Sequence, residues 1–194
     1  MQFRLDLAVA SSQEWVDTVM GDFDEFLKDH ANCERKASSM AMSFVAKYPD
    51  RVEIIPQLID TAVEELEHFR QVYELMEQRN IQLPHSIGQD LYVKALVDNC
   101  RSGRVERFMD RLLLASVVET RGAERFRLVA DAQTETDLKK FYKELWVSEA
   151  RHGEIFVHMA LRYFDEQDVY KRLEEINEFE GTVISQLPLK PALH

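Results

Sequence analysis

Apolar residues recur at every third or fourth position over most of this chain, and the strict alternation of a half-buried strand is nearly absent. One stripe, Phe23, Leu27, His30, Glu34, Ala37, Ala41, Phe44 and Val45, predicts a helix over about 22–48, which Asp22 can cap and Pro49 ends. A second, Leu58, Ala62, Leu66, Phe69, Val72, Tyr73 and Met76, predicts a helix over about 56–79, with Pro56 suited to its first turn. Phe108, Leu112, Ala115, Glu119, Gly122 and Phe126 mark a third over about 104–131. Tyr142, Leu145, Glu149, His152, Phe156, Met159 and Tyr163 mark a fourth over about 137–164. Shorter helices are expected near 89–101 and 166–183. A further one should open at a capping box, Ser11 with Glu14, and run to about Met20 before Gly21 breaks it. Residues 1–10 alternate weakly at Phe3, Leu5, Leu7 and Val9 and read as an extended arm.

The segment between the second and third long helices is longer than an antiparallel hairpin needs, and suits a crossover. The expected architecture is therefore all-α: a single domain over 1–194, built as a four-helix bundle with one long crossover and extra flanking helices. Scarce Gly (6) and Pro (5) agree with long helices.

Four stripes carry an intruder. Each long helix places a Glu near its midpoint on the apolar face: Glu34, Glu65, Glu119 and Glu149. Two of them add a His three residues on, His68 and His152. The separations agree: 31 residues from Glu34 to Glu65 and 30 from Glu119 to Glu149; 85 from Glu34 to Glu119 and 84 from Glu65 to Glu149. The chain reads as two similar helix pairs, repeated at the level of these positions. Residues i and i+3 share a helix face, so a Glu and a His so spaced can reach one ion. Four carboxylates in a dry core would each lose several kcal/mol of hydration, about the order expected for a buried ion. Two divalent cations would cancel their charge. Carboxylate oxygens with one imidazole per ion suit iron, with manganese as the alternative, and not the thiolate sets of structural zinc. This set resembles that of ferritin-like di-iron and di-manganese carboxylate proteins.

Other residues have plainer readings. Glu64, Glu67 and Glu154 lie on polar flanks and read as solvated. His30 shares the Glu34 stripe and reads as a hydrogen-bonded core histidine, with a supporting place beside the metal as the alternative. Cys33 and Cys100 read as reduced thiols of a cytoplasmic protein. Tyr142, Trp146 and Tyr163 read as core. Small residues beside the ligands (Ala37, Ser38, Ala41, Ala115, Ser116, Gly122, Ala123) would either leave space for a substrate or let helices pack closely. No apolar run is long enough to span a membrane. The N-terminus lacks the basic lead and apolar core of a secretory signal.

The segments "DHANCERKASSMAMSF", "EELEHFRQVYELMEQRNI" and "SEARHGEIF", with the order Glu34, Glu65-x-x-His68, Glu119, Glu149-x-x-His152, resemble the bacterial tRNA-(2-methylthio-N6-isopentenyladenosine) hydroxylase family over about residues 5–180. The resemblance implies a non-haem di-iron monooxygenase that uses O2 and an external reductase to hydroxylate the isopentenyl group of that nucleoside in tRNA. It also implies that Glu34, Glu65 and His68 hold one iron and Glu119, Glu149 and His152 the other, with Glu65 and Glu149 as bridges. The alternatives are a ferritin-like storage protein, or a di-iron oxidase or peroxidase acting on a small molecule.

A net charge of −11 does not attract nucleic acid by default. Residues 101–127 are the exception, with seven Arg against four acidic residues. Arg101, Arg104, Arg107 and Arg111 recur at helical spacing and form a candidate tRNA-binding stripe; ion pairs with neighbouring helices are the competing account.

Overall fold

The computed structural model describes residues 5–85, 88 and 90–194. These form seven helices in the order α1 Gln13–Gly21, α2 Phe23–Lys47, α3 Ile55–Gln78, α4 Leu91–Asp98, α5 Arg104–Ala132, α6 Thr136–Leu161 and α7 Glu166–Gln186, with no strand among the described residues. Two compact units are distinguished, one built on α2 and α3, the other on α4–α7 together with the arm that precedes α1.

In the first unit the predicted punctuation is in place. Asp22 caps α2 by accepting from the Glu25 N–H at 3.2 Å. The Tyr48 N–H returns to the Phe44 carbonyl at 2.8 Å and closes the last turn before Pro49. Helix α3 carries its proline in the first turn. It stops where Asn80 enters the left-handed region at φ 58°, which asparagine tolerates better than most residues. The Ile81 N–H then reaches the Met76 carbonyl at 2.9 Å and the Asn80 N–H reaches that of Glu77 at 3.0 Å, so two end carbonyls are satisfied. The buried face of α3 runs Leu58, Thr61, Ala62, Glu65, His68, Val72, Met76. Leu66, expected on this face, is 55% exposed. It sits one residue, about 100° around the helix, past Glu65, and the polar pair Glu65 and His68 holds the inward positions instead. The Ser38 hydroxyl donates to the Ala62 carbonyl at 2.8 Å and joins α2 to α3.

In the second unit α5 is buried along most of its length. Its contact with α6 depends on Gly153, where an added Cβ would lie 2.8 Å from Thr120 Oγ1 and 3.3 Å from the Ser116 carbonyl. Tyr92 and Leu96 of α4 pack with Leu114 of α5 and Val183 of α7. A charge network ties these helices to the arm. Arg121, fully buried, donates through Nε to Glu180 Oε1 at 2.7 Å and through Nη2 to Glu180 Oε2 at 2.8 Å. It also reaches Glu124 and the Val9 carbonyl, both at 2.7 Å. The Tyr92 hydroxyl donates to Glu180 at 3.0 Å; burial, then the Glu180 charge, hold that phenol well above its ordinary range. Arg125 lies over the Trp15 ring at 4.5 Å. Burial, then the neighbouring Arg121, pull it down to about 10, so it remains charged at neutral pH.

Two expectations change, at the first helix cap and at the ends of the last two helices, while the arm keeps its place before α1. Trp15 N–H is capped by the Ser12 hydroxyl at 3.2 Å, not by Ser11, whose N–H and hydroxyl go to Glu124 at 2.7 Å each. Residues 5–10 form no strand; their backbone is tied by Asn177, which takes the Ala8 N–H and donates to the Asp6 carbonyl. Helix α6 ends at Leu161 and α7 continues to Gln186. Phe3, Ser86, Ile87 and Gln89, which carried part of the arm, loop and crossover-helix expectations, lie outside the described residues. Among the described residues, no helix is long and apolar enough to cross a membrane.

Glu180→Ala, which takes from the buried Arg121 its two-pronged partner and leaves it the Glu124 carboxylate, is expected to cost about 3–5 kcal/mol. That is a fall in Tm of about 6–20 °C for a chain of this size. Glu67→Ala, at an exposed pair with Arg70, should leave Tm unchanged in the same calorimetry.

Candidate metal centre

Each unit brings its share of the predicted residues together. In the unit of α2 and α3, Glu34, Glu65 and His68 are all buried, and each offers a ligand atom within 4.8 Å of the others. His68 Nδ1 lies 3.5 Å from Glu65 Oε2 and 3.8 Å from Glu34 Oε2. In the unit of α5 and α6, Glu119, Glu149 and His152 are likewise buried, with ligand atoms within 4.8 Å of one another. His152 Nδ1 lies 3.7 Å from Glu149 Oε2. Helix geometry produces both pairs: three residues bring two side chains onto one face a turn apart.

These spacings fit a metal better than they fit hydrogen bonds. At 3.5–3.8 Å the imidazole–carboxylate contacts exceed the range of an N–H···O bond, about 2.7–3.2 Å. Two donors bound to one ion at about 2.1 Å each sit about 3.0–3.4 Å apart at octahedral or tetrahedral angles, so a closure of a few tenths of an ångström completes such a pair. Charge argues the same way. Each set holds two carboxylates and one imidazole away from water, and one divalent cation per set would balance the carboxylates. Neither set contains sulfur.

His30 is both a hydrogen-bonded core histidine and a neighbour of the candidate set. Its Nε2 donates to Glu34 Oε1 at 2.7 Å, with both side chains buried. It therefore holds the carboxylate from behind, as hydrogen-bonded partners orient metal ligands elsewhere. The signal was present, since residues 30 and 34 are one turn apart on the same stripe. Cys33, by contrast, faces Asp29 Oδ2 at 3.7 Å and takes no place in the set.

The small residues divide. At Gly153 the reason is close helix packing, as described. At Gly122, buried one turn after Glu119, an added Cβ would meet nothing within 4 Å, so that position leaves space.

The arginine stripe is not uniform. Arg101 donates through Nε and Nη2 to Asp110, at 2.6 Å for the shortest contact, and Arg172 of α7 holds the same carboxylate. Burial alone would raise the Asp110 carboxyl, but the hydrogen bonds from Arg101 and Arg172 outweigh it and set it below its usual range. Arg107 donates to the Arg101 carbonyl at 3.4 Å. Arg104 is exposed in the first turn of α5, and Arg111 is half-buried.

The fold and the two buried Glu–His sets define an all-α, ferritin-like protein able to bind metal. The family described as MiaE, tRNA-(MS[2]IO[6]A)-hydroxylase, matches residues 3–194, and the chain belongs to that family. It is 34% identical over 179 residues to the tRNA 2-(methylsulfanyl)-N(6)-isopentenyladenosine(37) hydroxylase of Pseudomonas putida, covering 92% of this chain and 86% of the relative. The protein of the same name from Salmonella typhimurium is 30% identical, with 81% and 75% covered. Among solved structures, a Synechococcus protein described as having aldehyde deformylating oxygenase activity superposes with a TM-score of 0.91 at 30% identity, covering 97% of this chain and 94% of its own.

His30→Leu removes the donor to Glu34 while keeping an apolar filling. It should weaken Mn2+ or Fe2+ binding about 10–100-fold with helix content unchanged. Metal titration reads this directly; an unaltered affinity would reduce His30 to core packing.

Proposed function

We propose that this chain hydroxylates the isopentenyl group of 2-methylthio-N6-isopentenyladenosine in tRNA. Membership of the family over residues 3–194 carries the reading, and the burial of all six expected ligands supports it. Glu34, Glu65 and His68 would hold one iron, and Glu119, Glu149 and His152 would hold the other. Bound iron would supply O2-dependent oxidation of an allylic C–H bond, drawing two electrons from an external reductase; manganese is the alternative metal.

The protein's own groups do the rest. His30 fixes the Glu34 carboxylate. The apolar neighbours of the ligands, among them Leu112, Ala115 and Phe156, exclude water from the reacting region. The space beside Gly122 would admit the branched end of the prenyl group one turn from Glu119. Arg104 and Arg107, on the first turn of α5, would meet the phosphate backbone near the modified base, a sequence-independent contact that positions the substrate.

A second reading has a specific observation behind it. The solved structure that superposes over nearly the whole chain is described by an activity on aldehydes, so the same scaffold serves a free small molecule. Nucleoside analysis separates the two. Cells lacking the gene should accumulate the prenylated, unhydroxylated nucleoside in tRNA, and restoring the gene should remove it; an unchanged nucleoside profile would sink the tRNA assignment. Arg104→Glu is expected to lower tRNA affinity at fixed salt, and to flatten its salt dependence by about one unit of slope, while metal content stays the same. Unchanged affinity would remove the stripe from the substrate interface.

A further inference from the structure

Ser116 lies one turn before Glu119 on α5 and is fully buried, yet its Oγ makes no hydrogen bond to any of the described residues. That is unusual for a hydroxyl in a helix, which normally turns back to a carbonyl of the preceding turn. Ser39 does so to Arg35 at 3.0 Å, Ser43 to Met40 at 2.8 Å, Thr120 to Ser116 at 2.8 Å and Ser185 to Gly181 at 2.7 Å. A buried hydroxyl left unsatisfied costs about 1–3 kcal/mol, and alanine would fill the same place without that cost.

The neighbours of Ser116 say what it could serve. Glu119 is three residues on, along the same face. Across the helix contact, Gly153 sits so close to the Ser116 carbonyl that a Cβ would lie 3.3 Å from it, and Gly153 adjoins His152. Ser116 therefore stands at the level of two members of one ligand set. Two carboxylates and an imidazole also leave coordination positions on an octahedral ion, and solvent or a small anion fills such positions. A hydroxyl can donate to either and accept from the first.

We propose that Ser116 is a positioning residue whose hydroxyl hydrogen-bonds the small non-protein ligand occupying the open side of the ion held by Glu119, Glu149 and His152. The inference rests on the metal-centre reading given above. It assigns Ser116 no part in binding the metal itself.

Azide is a suitable probe, because it binds open positions on ferric ions and its charge-transfer absorption reports its surroundings. The protein, Ser116→Ala and Ser116→Thr are loaded with iron, oxidised and titrated with azide, with iron content measured in parallel. All three should hold equal iron. The alanine variant should bind azide about tenfold more weakly, the loss expected for one hydrogen bond of about 1.4 kcal/mol, with a displaced absorption band; the threonine variant should behave as the parent. In the metal-free state Ser116→Ala should melt no lower than the parent, since the hydroxyl has no protein partner to lose. Equal azide affinity and an identical band in a fully loaded alanine variant would overturn the inference while leaving the metal centre intact. A clear fall in metal-free Tm would overturn it too, by giving the hydroxyl a structural role. A parent protein that takes up no iron would instead overturn the reading beneath it.

Discussion

A carboxylate among apolar side chains has to meet positive charge or give up its own, and this chain answers that demand repeatedly. Glu180 is answered by the Arg121 guanidinium in a two-pronged pair. Asp110 is answered by Arg101 and Arg172 together. Glu34 has the His30 imidazole on one oxygen and faces His68 with the other. Glu65 and Glu149 face imidazoles at distances beyond hydrogen-bond range. In the first two cases the protein supplies the whole counter-charge. In the two Glu–His sets the printed neighbours of the carboxylates are imidazoles, and the groups brought together there could bind a cation. The contrast separates acids paired with arginine from acids grouped with histidine inside the same class of buried acid.

The network around Arg121 has a consequence for the site. It binds the arm, α4 and α7 to the face of α5 that also carries Glu124 and Arg125. Glu119 stands only two residues from Arg121 on α5, so the helix that presents it is anchored from its other faces. The tight passage at Gly153 likewise fixes α6 against α5 beside His152. A ligand set on rigid helices holds its geometry better than one on loops. The space at Gly122 shows that this rigidity does not extend to complete filling.

Much of this was legible in the chain. Helix periods are carried by many residues at once, so the long helices fell within a few residues of their observed ends. The burial of the six candidate residues was legible because Glu and His on an apolar stripe violate the pattern, and the violation recurs at matched intervals. What escaped depends on partners remote in sequence. Arg121 and Glu180 are 59 residues apart, and nothing local distinguishes Arg121 from the exposed arginines nearby. Ser11 looked like a helix cap because its local spacing suited one, but Glu124, 113 residues away, competes for it successfully. Leu66 shows the resolution limit of a stripe: adjacent positions differ by about 100°, and residue type alone put the leucine inside. Arg101 joined a cationic stripe on spacing alone, whereas Asp110, which also accepts from Arg172, draws it into the structure.

The claim that cations complete these buried acids is tested most directly by metal analysis of the protein and of Glu65→Ala with Glu149→Ala. Elemental analysis after anaerobic loading and desalting should give two iron or manganese ions per parent chain, and far fewer in the double variant at unchanged helix content. A parent chain that retains no metal, or a double variant that retains the full complement, would contradict the account.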